Sequence, residues 1–220
     1  MITELIDRPD SCEVIRDQVA SILALETANQ QALAAIAKKP PTEWAFKVYT
    51  ERTNPWEDYQ DNPENVTPII NVWYDNSSFD KSMSNIVERQ GATATINIDC
   101  YAVGYSEERA LGHIAGDEQA ARNVQRAVRL ARNILMASPY TYLGLRGLVG
   151  QRWITAANIF QPAKDAHTVQ SVIGARLTLM VQFNEFSPQY QPVALEQLSA
   201  SVYRSETGEL LAKTDFNFGA

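Results

Sequence analysis

The side chains that could carry catalysis or hold a metal are few, and their spacing argues against most such chemistry. A nucleophile needs a base beside it, and metal chemistry needs clustered ligands. The histidines, His113 and His167, fall far apart in predicted loops and read as ordinary solvated side chains. Asp75 and Asp99 lie near the ends of adjacent predicted strands and could hold a magnesium ion as paired carboxylates do, which leaves a metal-dependent nuclease open. No lysine or third carboxylate follows them at convincing spacing. Glu57, Asp58, Asp61 and Glu64 form an acidic loop without the regular ligand pattern of a calcium loop, so solvated charge is the reading. No GxxxxGK[ST] or GxGxxG cradle occurs, and Gly144-Leu145-Arg146-Gly147 lacks the strand-to-helix setting of one. Cys12 and Cys100 suggest neither a disulfide framework nor a metal site, and read as small buried residues in a reducing compartment. The expectation is a protein that is not an enzyme, with no catalytic residue, metal or cofactor.

A different pattern carries more information. Arg122, Arg126, Arg129 and Arg132 fall within about 120° of arc on one predicted helix, opposite its apolar stripe. Three readings stay open: a solvated face, a surface for a neighbour's carboxylates, and a phosphate-binding ridge. The solvated face is the default; the case for the second is that arginine forks pair bidentately and survive partial burial at interfaces better than lysine. The formal charge of -7 weighs against the third, because proteins that grip nucleic acid cluster Lys and Arg.

The elements that must position these residues can be read from periodicity. Glu13 to Ile36 places Ile15, Val19, Ile22, Leu23, Leu33 and Ile36 near helical spacing, with Asp10 or Ser11 as cap and Lys38-Lys39-Pro40-Pro41 as stop. Trp44 to Thr50 and Ile69 to Tyr74 are rich in aromatic and β-branched groups and read as strands. A proline-punctuated loop over 54–67 joins them, of a length that binds or covers something. Thr93 to Ala102 alternates strictly, giving a strand with one apolar and one mostly polar face. Asp117 to Ala137 supplies the helical lid such a sheet needs, capped by Asp117 and stopped by Ser138-Pro139. Val149 to Phe160 is the next strand.

Thr168 to Phe186 follows as one long alternating run, about 60 Å if straight. A domain of this size is roughly 45 Å across, so the strand must bend, most easily at Gly174, or project. Gln197 to Arg204 and Glu209 to Phe216 read as a hairpin arm around Ser205-Glu206-Thr207-Gly208. The fold class expected is α+β: one antiparallel-rich mixed β-sheet packed by two helices in α-β-β-β-α-β-β order, with a C-terminal hairpin. The expected domains are 1–188 and an arm over 189–220. No stretch is apolar enough for a membrane span and the first residues do not resemble a signal peptide, so a soluble, unexported chain is expected.

That element order is similar to the tail terminator and tail completion proteins of long-tailed bacteriophages. The segments NIDCYAVGYS, EQAARNVQRAVRLARNILMAS, YTYLGLRGLV and ARLTLMVQFNEFSPQ resemble phage and prophage tail-region proteins, over roughly residues 1–205. The resemblance implies a structural virion protein of the tail and neck, assembled in the host cytoplasm. It would form a homo-oligomeric ring, usually of about six copies, that caps the tail tube and offers a surface to the head-tail connector or stopper. DNA would pass through the lumen without specific binding, since like charge repels phosphates. Another neck component or a tail-assembly chaperone remains an alternative. Family members are commonly shorter, so the 54–67 loop and the C-terminal arm are departures. Residues expected at subunit contacts are Arg122, Arg126, Arg129 and Arg132, together with Phe183, Phe186, Val202 and Tyr203, through strand addition.

Overall fold

Strict alternation makes a strand only as long as its partner allows, and here two long alternating segments pair with each other. The computed structural model describes residues 5–62, 64–80, 89–109, 112–162, 171–186, 197–203 and 210–217. In chain order the elements are α1 (Ser11–Ile36), β1 (Lys47–Thr50), the single-turn α2 (Asp58–Asp61), β2 (Ile69–Phe79) and β3 (Arg89–Gly104). A small hairpin of β4 (Glu107–Arg109) and β5 (Gly112–Ile114) precedes α3 (Gly116–Leu135). β6 (Val149–Phe160), β7 (Ser171–Phe186), β8 (Gln197–Tyr203) and β9 (Leu210–Asn217) complete the chain.

The fold is α+β, built on a five-stranded mixed sheet of order β1-β2-β3-β7-β6. β1 runs parallel to β2, and every other pairing in that sheet is antiparallel. β3 and β7 pair without a break from Arg89↔Phe186 to Gly104↔Ser171. β7 therefore does not bulge at Gly174, and it is an interior strand, not the outermost one. The bends lie in β2, between Tyr74 and Asn76, and in β6, at Val149/Gln151 and Ile154/Ala156. Gly174 matters for another reason. The Phe160 ring lies where a side chain would begin, and a Cβ there would stand 2.6 Å from the ring.

Both long helices cover one face of this sheet. α3 lies over β3 and β7, while α1 lies over β1 and β2. Ile15, Val19, Ile22 and Leu23 of α1 join Val124, Ala127, Ala131 and Leu135 of α3 on Ile96, Ile98, Leu177 and Leu179. Only the first half of α1 is apolar toward the core: Leu33 and Ile36, expected on its buried stripe, are exposed. Its start is held by the Glu13 carboxylate, which accepts from the Asp10 N–H at 2.9 Å, the returning half of a capping box. Its end is a left-handed Lys38 (φ 55°), after which the Lys39 N–H donates to the Ala34 carbonyl. Midway, Tyr140 donates to Glu26 at 2.6 Å.

α3 begins one residue before the expected Asp117, with Ala115 in the capping position, because β3 and the helix meet backbone to backbone. A Cβ at Gly104 would lie 2.0 Å from the Gly116 carbonyl oxygen, so only glycine permits the approach. Asp117 remains in the first turn, where its charge suits the helix dipole. At the other end, the Arg152 guanidinium of β6 donates to the carbonyls of Leu135 (2.6 Å), Ala137 (2.9 Å) and Thr141 (3.0 Å). One cation thus caps the last carbonyl of α3 and two carbonyls of the segment that follows it, while the Arg132 and Ile134 carbonyls accept from the Met136 and Ala137 N–H groups.

Other expectations shift by local chemistry. Trp44 closes a 3₁₀ turn, Pro41–Trp44, instead of starting a strand, and β1 opens at Lys47. The beginning of the long run at Thr168, and the turn Ser205 to Gly208, lie outside the described residues. The chain divides into two compact units, Met1–Ser187 and Pro188–Ala220. In the second, β8 and β9 form a two-stranded antiparallel sheet from Gln197↔Asn217 to Tyr203↔Leu210.

Replacing Arg152 by Met should cost about 2–3 kcal/mol in urea unfolding, since it strips charged donors from three carbonyls. Arg152→Lys should recover only part of that, because one ammonium does not reproduce the fork. An unchanged midpoint for Arg152→Met would mean water caps α3 equally well.

Candidate functional site

The arginines of α3 do not act as one ridge. Arg122 is spent on Glu118 one turn earlier, and Arg126 is half-buried and donates to the Asn123 side chain. Arg129 and Arg132 are exposed and have no carboxylate partner among the described residues. They wall a groove of about 310 Å³ with Gln125 and Val128 of α3, Ala157, Asn158 and Ile159 of β6, and Ala175 of β7. The groove exists because α3 sits over β3 and β7 and leaves the outer strand uncovered.

β6 is that outer strand. No described strand pairs with its far side, and much of it is exposed, with Trp153 and Ile159 among the exposed large apolar side chains. Its stretch from Ala156 to Phe160 is regularly paired with Thr178 to Gly174. Backbone donors and acceptors along the outer side are therefore aligned for another strand.

The remaining expected contact residues separate. Phe183 is 2% exposed and belongs to the core, which corrects its place at a subunit surface. Its parity with Val181, Leu179 and Leu177 turns it under the helices. Phe186 is half-exposed at the end of β7, opposite Arg89. Val202 and Tyr203 lie on β8, opposite Ala212 and Leu210, and their side chains are outside the described residues. His113 is exposed on β5; His167 is outside the described residues.

The face of the sheet opposite the helices holds a cluster that sequence reasoning missed. The alternation in β3 marks Asn97, Asp99 and Tyr101 as the wet side, yet all three are buried. Asp99 takes a two-pronged bond from Arg176 on β7, Nε at 2.7 Å and Nη2 at 2.9 Å. Trp73 Nε1 donates to the same carboxylate at 3.0 Å. The Arg176 guanidinium lies over the Trp73 ring at 4.8 Å and the Phe160 ring at 5.7 Å. Tyr101 meets Phe160 edge-on and Trp56 at a tilt. Burial pushes the Tyr101 hydroxyl up, and the Asp99 charge adds to that. With Arg52 and Glu51 these groups line a cavity of about 440 Å³.

The 54–67 segment is what covers this face. Tyr59 is fully buried, its hydroxyl between the carbonyls of Thr67 (2.9 Å) and Tyr101 (3.0 Å). The Asn71 amide bonds the Arg52 backbone both ways, imitating a strand pair. Asp58, one of the loop acids, accepts from Tyr49 (2.5 Å) and Arg52 (2.7 Å). Desolvation pushes its carboxyl up, but those two bonds outweigh it and hold it below the usual range. Asp99 is likewise committed to Arg176 and Trp73, and Asp75 is exposed. Among the described residues no three His, Cys, Asp or Glu side chains gather as metal ligands do. Nor is any described helix long and apolar enough to cross a membrane. The signal that could have revealed this face was the aromatic content of Trp56, Trp73, Tyr101 and Phe160.

Arg176→Met should cost about 3 kcal/mol in urea unfolding, because Asp99 is left buried with only the neutral donors Trp73 and Tyr101. The double variant Asp99→Leu/Arg176→Met should cost less than the sum of the single changes; additivity would deny the coupling. Glu26, held low by Tyr140, and Asp58 both titrate lower folded than unfolded. Their contribution is therefore complete above the ordinary carboxylate range and is lost as pH falls through the folded values. The urea midpoint should drop below about pH 4, and less steeply in Tyr49→Phe/Tyr140→Phe. An identical pH profile in the double variant would remove those bonds from the account.

Neither a scan against protein-family models nor a search of curated proteins gives a match.

Proposed function

We propose that this chain is a structural subunit of a ring at the head-proximal end of a phage tail, capping the tail tube and joining it to the head connector. The observation that carries the reading is an unfinished sheet. Proteins that work as monomers blunt their edges with charge, proline or a covering element. β6 has no proline or lysine, its one arginine is turned to the α3 carbonyls, and it flanks a groove walled by Arg129 and Arg132. An edge of this kind is completed by another chain.

The charge balance supports the same reading. A net charge of -7 suits a channel lining that DNA must slide past, and Arg129 and Arg132 beside β6, without a carboxylate partner among the described residues, suit a contact between copies. The resemblance of the four sequence segments to tail-region proteins supplies the setting. A stopper or tail-tube connector would share these features, and position within the virion separates them.

A phage lacking this gene should make tails of uncontrolled length or tails left unjoined to heads in negative-stain microscopy. Normal-length, head-joined tails would sink the reading. In the purified protein, Arg129→Glu should leave stability within about 0.5 kcal/mol, as exposed changes do. The same change should weaken ring assembly at least about tenfold by mass photometry. Unchanged assembly would return Arg129 to the solvated face of α3.

A further inference from the structure

We infer that the open edge of β6 and the groove beside α3 receive the Pro188–Ala220 unit of a second copy of this chain, added to the sheet as a further strand. The inference rests on the ring reading above and names the receiving surface and its occupant.

Four observations carry it. The first is hydrogen bonding. Among the described residues no strand pairs with the outer side of β6, nor with the outer edge of β8 or β9. Such a hairpin alone is marginal in water, so it gains most from a third strand.

The second is the shape of the groove. Side chains of an added strand alternate, and those turned to the helix side would enter the space between β6 and α3, over Val128, Ala157 and Ile159. That floor is apolar, and the exposed Ile159 is the largest apolar group on it.

The third is charge. The segment 188–220 contains Glu196, Glu206, Glu209 and Asp215 against Arg204 and Lys213, four acids less two bases, hence a net -2. Arg129 and Arg132 stand at the groove without a described carboxylate partner. The unit as a whole is acidic, although its two described strands are charge-balanced, and the receiving wall is basic, so the two are complementary, and the arginine fork tolerates the desolvation that docking imposes.

The fourth is symmetry. The receiving edge and the arm are different surfaces, so the contact is heterologous, and repeating it closes a ring where the rotation permits. A contact of like with like would stop at a dimer.

The test uses two full-length variants in a Cys12→Ser background, Asn158→Cys on β6 and Ala212→Cys on β9, carrying tags of different size. They are mixed and treated with a short bis-maleimide, and mass photometry is run on the same sample. The expected result is a covalent dimer joining the two different chains, reduced at least fivefold by Arg129→Glu/Arg132→Glu. Rings that form without any inter-chain product overturn this inference and leave the ring reading standing. In a third variant carrying both Asn158→Cys and Ala212→Cys, a product confined to single chains at all dilutions overturns it as well, because the hairpin then closes its own sheet. Products joining Asn158→Cys to a cysteine placed at Thr50 on β1, in place of Ala212, would replace the arm by edge-to-edge packing. If neither the free protein nor the virion contains a ring, both readings fall.

Discussion

A cross-strand pair fixes the register on which the rest of this structure depends. Asp99 of β3 stands directly opposite Arg176 of β7, and the guanidinium grips the carboxylate with two bonds. Slipping the ladder by one residue would turn Arg176 under the helices and bring Leu177 to the polar face, since strand side chains alternate. With the register held, Ile96, Ile98, Leu177 and Leu179 face α1 and α3, while Asp99, Tyr101 and Arg176 face the 54–67 cover. The β3–β7 pair is thus buried on both sides at its centre, and the strands beyond it are arranged around a fixed axis.

From that axis the asymmetry of the sheet follows. On the β1 side, the 54–67 segment and α1 close over the outer strands, with Tyr59, Asn71 and Arg52 knitting the cover down. On the β6 side, α3 stops short. Its last carbonyl, Leu135, and the Ala137 carbonyl just beyond it are tied to Arg152 of β6, which anchors helix to strand at one end, and the groove lies beside the rest. At β6 the fold brings together a strand edge that no described strand pairs, the exposed Trp153 and Ile159, and Arg129 and Arg132, which have no carboxylate partner among the described residues.

Much of this was legible in the sequence, and the failures have physical causes. β6 was read from Val149 to Phe160, and α1 and α3 to within a few residues, because amphipathic period and proline stops are local signals. The α+β class and mixed sheet followed from element order. Strand order was not legible: the length of β7 suggested an edge or an arm, whereas its length reflects an equally long partner, β3. Phe183 was misplaced for that reason, since an interior strand has no free surface. That the polar face of β3 is buried was not legible, because alternation reports residue type, not what covers it. Of the four arginines, Arg122 was compromised by Glu118 at helical spacing, which the sequence displays; the groove that singles out Arg129 and Arg132 needed the position of β6.

The most direct test of the central claim, that the open β6 edge is completed by an adjoining copy in a tail-end ring, is a density map of the head-tail junction of the phage. The account predicts this chain as a closed ring on the end of the tail tube, with each β6 covered by a strand of the neighbouring copy. Density for the ring with β6 facing solvent, or no density for this chain at the junction, would contradict it.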